Sequence, residues 1–162
     1  MEKHSVMRIY SRIVDMRIDI YIYIILYMLR PGVGVLVILK CDDNILLGKR
    51  KGSHGHGEWS FPGGHLELNE TLEECGKREL YEETCIDITN LTPIDGGYTN
   101  DIFCNDEKHY ITLYQIYNID EMMPPLLKEP DKCFEWRWCN INNLPEPLFL
   151  CVNNFRDKYS FE

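Results

Sequence analysis

One segment of the chain decides its fold. Residues 63–86 read GGHLELNETLEECGKRELYEETCI, a glycine pair followed by an acidic stretch. We predict a helix over Glu70–Thr84, because Thr71 and Glu74 have the spacing of a capping box and apolar side chains recur three and four residues apart. The glycine pair that follows Pro62 predicts a sharp turn before this helix, which brings bare backbone close to a ligand.

The predicted helix carries an unusual density of negative charge. Seven carboxylates lie between residues 67 and 83, against only two basic side chains. A solvated charged face is the usual explanation of such a run. However, Glu79, Glu82 and Glu83 are spaced i, i+3, i+4, where like charges repel unless a cation neutralises them. Carboxylate oxygens are hard ligands suited to Mg²⁺ or Mn²⁺, so the spacing also fits a divalent-metal site.

The same stretch resembles the Nudix box, the signature G-x(5)-E-x(7)-R-E-U-x-E-E-x-G-U in which U is aliphatic. One position departs from it, because Cys85 stands where the pattern has glycine. Since that glycine ends the helix, where a positive φ is favoured, we expect local strain at Cys85 but no lost ligand. The positions that match are Gly64, Glu70, Arg78, Glu79, Leu80, Glu82, Glu83 and Ile86.

The resemblance implies a hydrolase of nucleoside diphosphates linked to another moiety. It implies the α/β class and the Nudix fold, an α/β/α sandwich around a mixed β-sheet. Arg78 would pair with Glu70 to hold the helix against the preceding loop, and a glutamate would deprotonate the attacking water. The implied catalytic residues are Glu70, Arg78, Glu79 and Glu82, and the implied ligands of Mg²⁺ (or Mn²⁺) are Glu79, Glu82, Glu83 and Gly64.

The rest of the chain predicts a mixed α/β domain. Val33–Lys40 is a continuous β-branched run typical of a buried strand, and a turn at 42–44 joins it to a second strand over Ile45–Arg50. A short strand over 59–61 is stopped by Pro62 and the glycine pair. Further strands are predicted over 94–99, 109–117 and 134–138, and an amphipathic helix near 148–159.

Sequence outside the box is similar to a MutT-like branch of the family, notably LLGKRKGSHGHGEWSFPGGHLE (46–67) and EPDKCFEWRW (129–138). The similarity implies a homodimer that hydrolyses nucleoside triphosphates, including oxidised or modified purine ones, to a monophosphate and pyrophosphate. Lys49 and Arg50 belong to the only basic triplet and are expected to contact phosphate. The other expected substrate contacts are Phe61, Gly63, Thr112 and Phe149.

Alternatives to this substrate class stay open. Members of this branch also accept prenyl diphosphates and pterin triphosphate, and a non-catalytic nucleotide sensor would keep the same fold.

His54 and His56 lie in a glycine-rich loop and are expected to be exposed, with a lid or phosphate role as the alternative. Trp136 and Trp138 share one face of a strand and are expected to serve core or dimer packing.

Charge and cysteine usage exclude other functions. Seventeen Lys and Arg against 26 Asp and Glu give a net charge of −9, which disfavours binding to a nucleic-acid polymer. Seven cysteines match no zinc pattern, so we expect thiols in a reducing compartment, and the cytoplasm is the expected location. Part of the negative charge belongs to the carboxylates of the expected metal site. A bound metal ion would reverse the local electrostatic field that a phosphorylated substrate meets.

The first thirty residues differ from the rest. Five basic and three acidic residues give residues 1–30 a net charge of +2, and the uncharged run 20–29 is too short to span a membrane. We expect 1–30 to be a poorly ordered or non-native extension, with Met28 as an internal start, and 31–162 to be the catalytic domain. A mitochondrial presequence is the alternative.

Overall fold

The computed structural model describes residues 17–19 and 30–159. Residues 17–19 are helical, and Gly32 opens a separate compact unit that is described below. Three expectations concern residues 1–30: a poorly ordered or non-native extension, an internal start at Met28 and, as the alternative, a presequence. Of these residues, 1–16 and 20–29 lie outside the described part. Among the described helices, none combines the length and the apolar character that crossing a bilayer needs.

Seven strands form one mixed sheet, with two helices packed on it. The strands and helices are β1 (Gly32–Cys41), β2 (Asn44–Arg50), β3 (Trp59–Ser60), β4 (Gly63–His65), α1 (Leu72–Thr84), β5 (Ile94–Phe103), β6 (Lys108–Asn118), β7 (Cys133–Asn140) and α2 (Leu150–Lys158). The strands pair in the order β3-β2-β1-β6-β5, with β4 added to β1 and β7 added to β2. The β1–β6 pair is parallel and every other pair of these strands is antiparallel.

The two helices cover opposite faces of the sheet. Side chains alternate along β1, so Leu36 and Ile38 point into a core cluster with Val152 of α2, whereas Val37 joins the cluster that contains Leu80 of α1. This is the α/β/α sandwich that the resemblance implied, and the prediction of the fold is confirmed. Trp136 and Trp138 pack against the α1-side cluster, as expected of core residues.

Capping residues set the bounds of α1. The Thr71 hydroxyl accepts from Glu74 N, and Thr71 N donates to the Glu74 carboxylate at 2.8 Å, which is the predicted capping box. Thr71 is therefore the N-cap, and the prediction of helix from Glu70 was two residues too long. Cys85 ends the helix with φ at 58°, the left-handed conformation that favours the glycine of the Nudix pattern.

The glycine pair forms a strand rather than only stopping one, which corrects the sequence-based prediction. Gly63–His65 pairs antiparallel with β1, with Gly64 opposite Val35. Gly63 has φ at 141°, and a Cβ there would lie 2.2 Å from the carbonyl oxygen of Val35. Only glycine lets the two backbones approach this closely. As a result, β4 holds Gly63 and Gly64 beside the Glu83 and Glu79 side chains of α1.

Candidate active site

A cleft of about 560 Å³ opens where β4, α1 and the loops meet over the sheet. Its wall has two chemically different ends. One is acidic and lies between β4 and α1. The other is aromatic and lies above the start of β6 and the start of α2. The acidic end is lined by Gly63, Gly64, Glu67, Glu79 and Glu83, and the aromatic end by His54, Phe61, Phe103, Tyr110, Thr112, Phe149 and Cys151.

Two glutamates of α1 project into the acidic end. Gly63 N donates to Glu83 Oε2 at 3.0 Å, which ties the C-terminal half of α1 to β4. Loss of hydration around this partly buried carboxyl raises the pKa of Glu83 to about 8. The Glu79 carboxylate lies against Gly64, where an added Cβ would be 2.2 Å from Glu79 Oε1. The absence of a side chain at Gly64 therefore makes the space that Glu79 occupies.

Arg78 organises the carboxylates that surround it. Its Nε and Nη2 donate to the two oxygens of Glu70 at 2.7 and 3.0 Å, a bidentate pair. Its Nη1 donates to Glu79 at 2.8 Å and contacts Glu82 at 3.4 Å. The bond from Arg78 lowers the pKa of Glu70 to about 2, and the same contacts raise the pKa of Arg78. Arg78 thus joins the loop before α1 to the glutamates of the helix.

Glu82 differs from its two neighbours. Its side chain is 55% exposed, contacts Arg78 and does not line the cleft. Within residues 17–19 and 30–159, no three His, Cys, Asp or Glu side chains are grouped as a metal site. The donor chemistry still fits a hard divalent cation, because Glu79 and Glu83 line the same end and no described Lys or Arg forms an ion pair with Glu83. To join them, the Glu82 side chain would have to turn towards the cleft.

The aromatic end is a cage built from three separate parts of the chain. Phe103 and Phe149 stack with centroids 5.1 Å apart, and the His54 ring meets both edge-on, at 4.4 and 5.1 Å. Tyr110 meets Phe103 edge-on at 6.1 Å. His54 Nδ1 lies 2.6 Å from Asp106 Oδ2, while desolvation lowers the pKa of His54. His54 is thus half-buried, which corrects the expectation of full exposure.

The predicted basic pair separates in the structure. The Arg50 guanidinium lies 4.3 Å from the Phe149 ring centroid, a cation–π contact, and Arg50 Nε donates to the carbonyl of His54 at 3.0 Å. Desolvation lowers the pKa of Arg50, whose side chain lines the cleft. Lys49 points to the opposite face of β2, where its Nζ is 5.9 Å from the centroid of Trp59, and it does not line the cleft.

Beneath the cage lies a hydrogen-bonded floor. Thr112 and Cys151 form the visible part, and the fully buried Asp101 lies behind Thr112. Gly34 is paired in register with Thr112 and also lines the cleft, and an added Cβ there would meet no atom nearer than 3.8 Å. At the mouth, Lys132 pairs with Glu129 at 2.8 Å.

The cleft combines predicted and unpredicted residues. Of the predicted site residues, Arg50, Phe61, Gly63, Gly64, Glu79, Glu83, Thr112 and Phe149 line it, while Lys49, Glu70, Arg78 and Glu82 do not. Sequence reasoning missed Phe103, Tyr110 and Asp101. Their only signal was position, because Phe103 and Tyr110 flank the turn between two predicted strands that bring them together.

Comparisons with known proteins agree with this geometry. The NUDIX domain family matches residues 28–159. The ADP-ribose pyrophosphatase of Methanocaldococcus jannaschii is 34% identical over 121 residues, which are 75% of this chain and 69% of that protein. The oxidized purine nucleoside triphosphate hydrolase of Danio rerio is 28% identical over 134 residues, 78% of this chain and 85% of that protein.

Solved structures give the same result. The MutT Nudix hydrolase from Burkholderia pseudomallei superposes with a TM-score of 0.73 at 26% identity, over 81% of this chain and 99% of that one. The family match spans the box, the acidic end and the aromatic cage, so it covers the whole cleft. The chain therefore belongs to the Nudix hydrolase family, whose members act on phosphoric anhydride bonds.

Proposed function

We propose that this hydrolase is a Mg²⁺-dependent pyrophosphohydrolase of nucleoside triphosphates, including oxidised or modified purine ones, which releases a nucleoside monophosphate and pyrophosphate. The observation that carries the proposal is the joining of an acidic end and an aromatic end in one cleft. A nucleotide has the same two parts, a polyphosphate that needs cations and a planar base that stacks on aromatic rings. Mn²⁺ suits the same oxygen ligands.

The acidic end supplies the groups for hydrolysis. Glu79, Glu82 and Glu83, with a backbone oxygen at Gly64, are the proposed ligands of the cation. When bound, the metal neutralises phosphate oxygens and favours in-line attack by water. Either Glu79 or Glu82 accepts the proton of that water as its oxygen bonds to phosphorus and the P–O bond between the α- and β-phosphates breaks, which gives the monophosphate and pyrophosphate. Arg78, held by Glu70, positions Glu79 rather than reacting itself.

The remaining contacts hold the substrate. Arg50 is suited to phosphate, because its guanidinium faces the cleft between the aromatic cage and the acidic end. Phe149 and Phe61 supply apolar surface for the base, Thr112 supplies a polar contact beneath it, and the backbone of Gly63 borders the acidic end. Lys49 makes no direct contact with the substrate in this proposal, and its charge contributes to the positive electrostatic field at long range.

Two further substrate classes are alternatives. ADP-ribose is supported by the name of the 34% identical relative, and the cage would accept its adenine. Prenyl diphosphate or pterin triphosphate would use the same acidic end with a different group in the cage. A non-catalytic sensor of nucleotides is disfavoured by the complete set of box glutamates.

Location and assembly are proposed as well. We place the enzyme in the cytoplasm as a homodimer. All seven cysteines are thiols and five of them are buried, which suits a reducing compartment. Light scattering of the purified chain tests the dimer, and a monomer at micromolar concentration would contradict it.

Release of pyrophosphate is the test of the activity. The enzyme is incubated with nucleoside triphosphates, ADP-ribose and a prenyl diphosphate, each with Mg²⁺ and with EDTA. We expect pyrophosphate only from triphosphates and only with the metal. Turnover of prenyl diphosphate alone, with release of phosphate, would contradict the nucleotide assignment, and a complete lack of turnover would favour the sensor.

Matched variants test the metal assignment independently of turnover. Glu83→Gln keeps an acceptor for Gly63 N but removes the charge, so we expect loss of Mn²⁺ binding by titration calorimetry with little change in Tm. Glu73→Gln is the control, because Glu73 lies on the same helix, pairs with Lys77 and does not line the cleft. Equal Mn²⁺ affinity of both variants would refute the assignment.

A further inference from the structure

A fully buried carboxylate lies behind the floor of the aromatic end. Asp101 on β5 accepts three side-chain hydrogen bonds, one from each of three elements of the fold. Thr99 Oγ1 donates to Oδ2 at 2.9 Å, Thr112 Oγ1 donates to Oδ2 at 2.5 Å, and Asn154 Nδ2 donates to Oδ1 at 2.6 Å. Of these four residues, only Thr112 lines the cleft, and its hydrogen bond links Asp101 to the cleft.

This arrangement determines which way the Thr112 hydroxyl points. A threonine hydroxyl has one proton and two lone pairs, and here Asp101 Oδ2 accepts the hydrogen bond from Thr112. The second contact of this hydroxyl, with Cys151 Sγ, is much longer at 3.7 Å, so the proton of Thr112 is assigned to Asp101 and lone pairs of Thr112 Oγ1 are left for the cleft. An added Cβ at Gly34 would lie 3.8 Å from Thr112 Oγ1, and both residues line the cleft, so this oxygen lies next to the cleft surface at Gly34. The floor of the cage thus presents a hydrogen-bond acceptor to the cleft.

We infer that Asp101 is a positioning residue that makes Thr112 a fixed acceptor, and that the cleft thereby selects bases that present an N–H group at this point. The inference rests on the proposed function and names the substrate class of the same site. A ring nitrogen or a carbonyl facing Thr112 would place two lone pairs against each other and leave both groups without a partner. Such a mismatch lowers kcat/KM by about tenfold or more, because a buried polar group without a partner loses its hydrogen bonds to water and gains none from the protein.

Pairs of purine nucleotides that differ by one N–H group make this selectivity measurable. dGTP carries a 2-amino group that dITP lacks, and 8-oxo-dGTP carries an N–H at position 7 where dGTP has a bare ring nitrogen. In at least one pair we expect the member with the additional N–H to have a kcat/KM about tenfold higher. Equal kcat/KM values within both pairs would overturn the inference.

Two substitutions in the network test the orientation. Thr112→Val replaces the hydroxyl by a methyl group of similar shape, so the tenfold preference should fall to near unity. Asp101→Asn should reverse it. Because Asn154 donates to the Oδ1 position, the amide oxygen stays there and the amide NH₂ faces Thr112. Thr112 then accepts from the amide and turns its proton towards the cleft, where it favours a ring nitrogen or a carbonyl.

Thr99→Val is the matched control. It removes the other hydroxyl that donates to Asp101 Oδ2, at an equally buried position that does not line the cleft. We expect a loss of thermal stability like that of Thr112→Val, but an unchanged ratio of kcat/KM within the nucleotide pair. Thr112→Ser, which keeps the hydroxyl, should restore the ratio even if Thr112→Val folds poorly. A ratio that changes equally in the Thr99 and Thr112 variants would assign both residues to packing alone.

The outcomes separate this inference from the proposed function. Hydrolysis of nucleoside triphosphates with a flat ratio in every variant overturns the inference and leaves the proposed function intact. A wild-type enzyme that hydrolyses none of them overturns both.

Discussion

The bidentate contact between Arg78 and Glu70 should be the strongest ion pair on α1. We propose a double-mutant cycle of Glu70→Gln and Arg78→Met, because the cycle cancels the other contacts of Arg78 and isolates this pair. The two side chains are only 12% and 26% exposed, and their bonds are 2.7 and 3.0 Å long. Since hydrogen bonds between charged groups contribute about 1.5–3 kcal/mol each and exposure screens part of that, we expect a coupling of about 2 kcal/mol.

A second pair on the same helix provides the control. Lys77 and Glu73 make a single contact at 2.6 Å, and Glu73 is 46% exposed. Exposed pairs of this i, i+4 spacing contribute about 0.3–0.5 kcal/mol, so the cycle of Lys77→Met and Glu73→Gln should give a coupling several times smaller. Both cycles are measured by urea unfolding, with a constant m-value as the condition for comparing free energies of unfolding.

Lowering the pH sharpens the test. Arg78 lowers the pKa of Glu70 from 4.5 to about 2, so the folded state binds the proton less tightly than the unfolded state. The stabilisation is complete above pH 4.5 and declines as the pH falls towards 2. The coupling measured near pH 3 should therefore be clearly smaller than at pH 7. A coupling at pH 7 no larger than that of the Lys77–Glu73 control, or one that does not change with pH, would refute the reasoning.

Three further substitutions have expected outcomes. Gly64→Ala should lower kcat by about 100-fold, because its Cβ displaces the Glu79 carboxylate and a misplacement of about 1 Å has this effect; an unchanged kcat would mean that the position of Glu79 is unimportant. Gly34→Ala should leave Tm unchanged, since its nearest neighbours lie at 3.8 Å, but should raise KM by filling the floor of the cage; an unchanged KM would place the base elsewhere. Cys85→Gly should stabilise the fold by about 1 kcal/mol in urea unfolding, because a side chain in the left-handed conformation costs about that much; a loss of stability would contradict the strain assigned to this cap.

Local sequence patterns predicted the parts of the fold that local interactions determine. The β-branched run 33–40 forms most of β1, and the capping box at Thr71 begins α1. The strand β4 was missed because Gly63 and Gly64 have little intrinsic preference for a strand. Their conformation depends on pairing with β1, a contact nearly thirty residues away in sequence.

The candidate site divides in the same way. Helical spacing correctly placed Glu79 and Glu83 at one end of the cleft, but it also placed Glu82 there. The spacing contains no information about the rotamer of Glu82, whose side chain contacts Arg78 instead of lining the cleft. His54, Phe103 and Tyr110 were not recognised as one cage because they meet only through the sheet and the contact of His54 with Asp106. Side chains that meet through tertiary structure leave no periodic signal along the chain.

The two ends of the cleft differ in how easily their residues can be replaced independently of one another. The acidic end comes from one continuous stretch, residues 63–83, in which glycines, capping residues and charges depend on one another, so a single replacement there disturbs several contacts at once. The cage is contributed by the 52–57 loop, the β5–β6 turn and the start of α2, which are far apart in sequence and can be replaced one at a time. Substitutions in the cage can therefore change which group is accepted beside the phosphates while the hydrolytic residues stay unaltered.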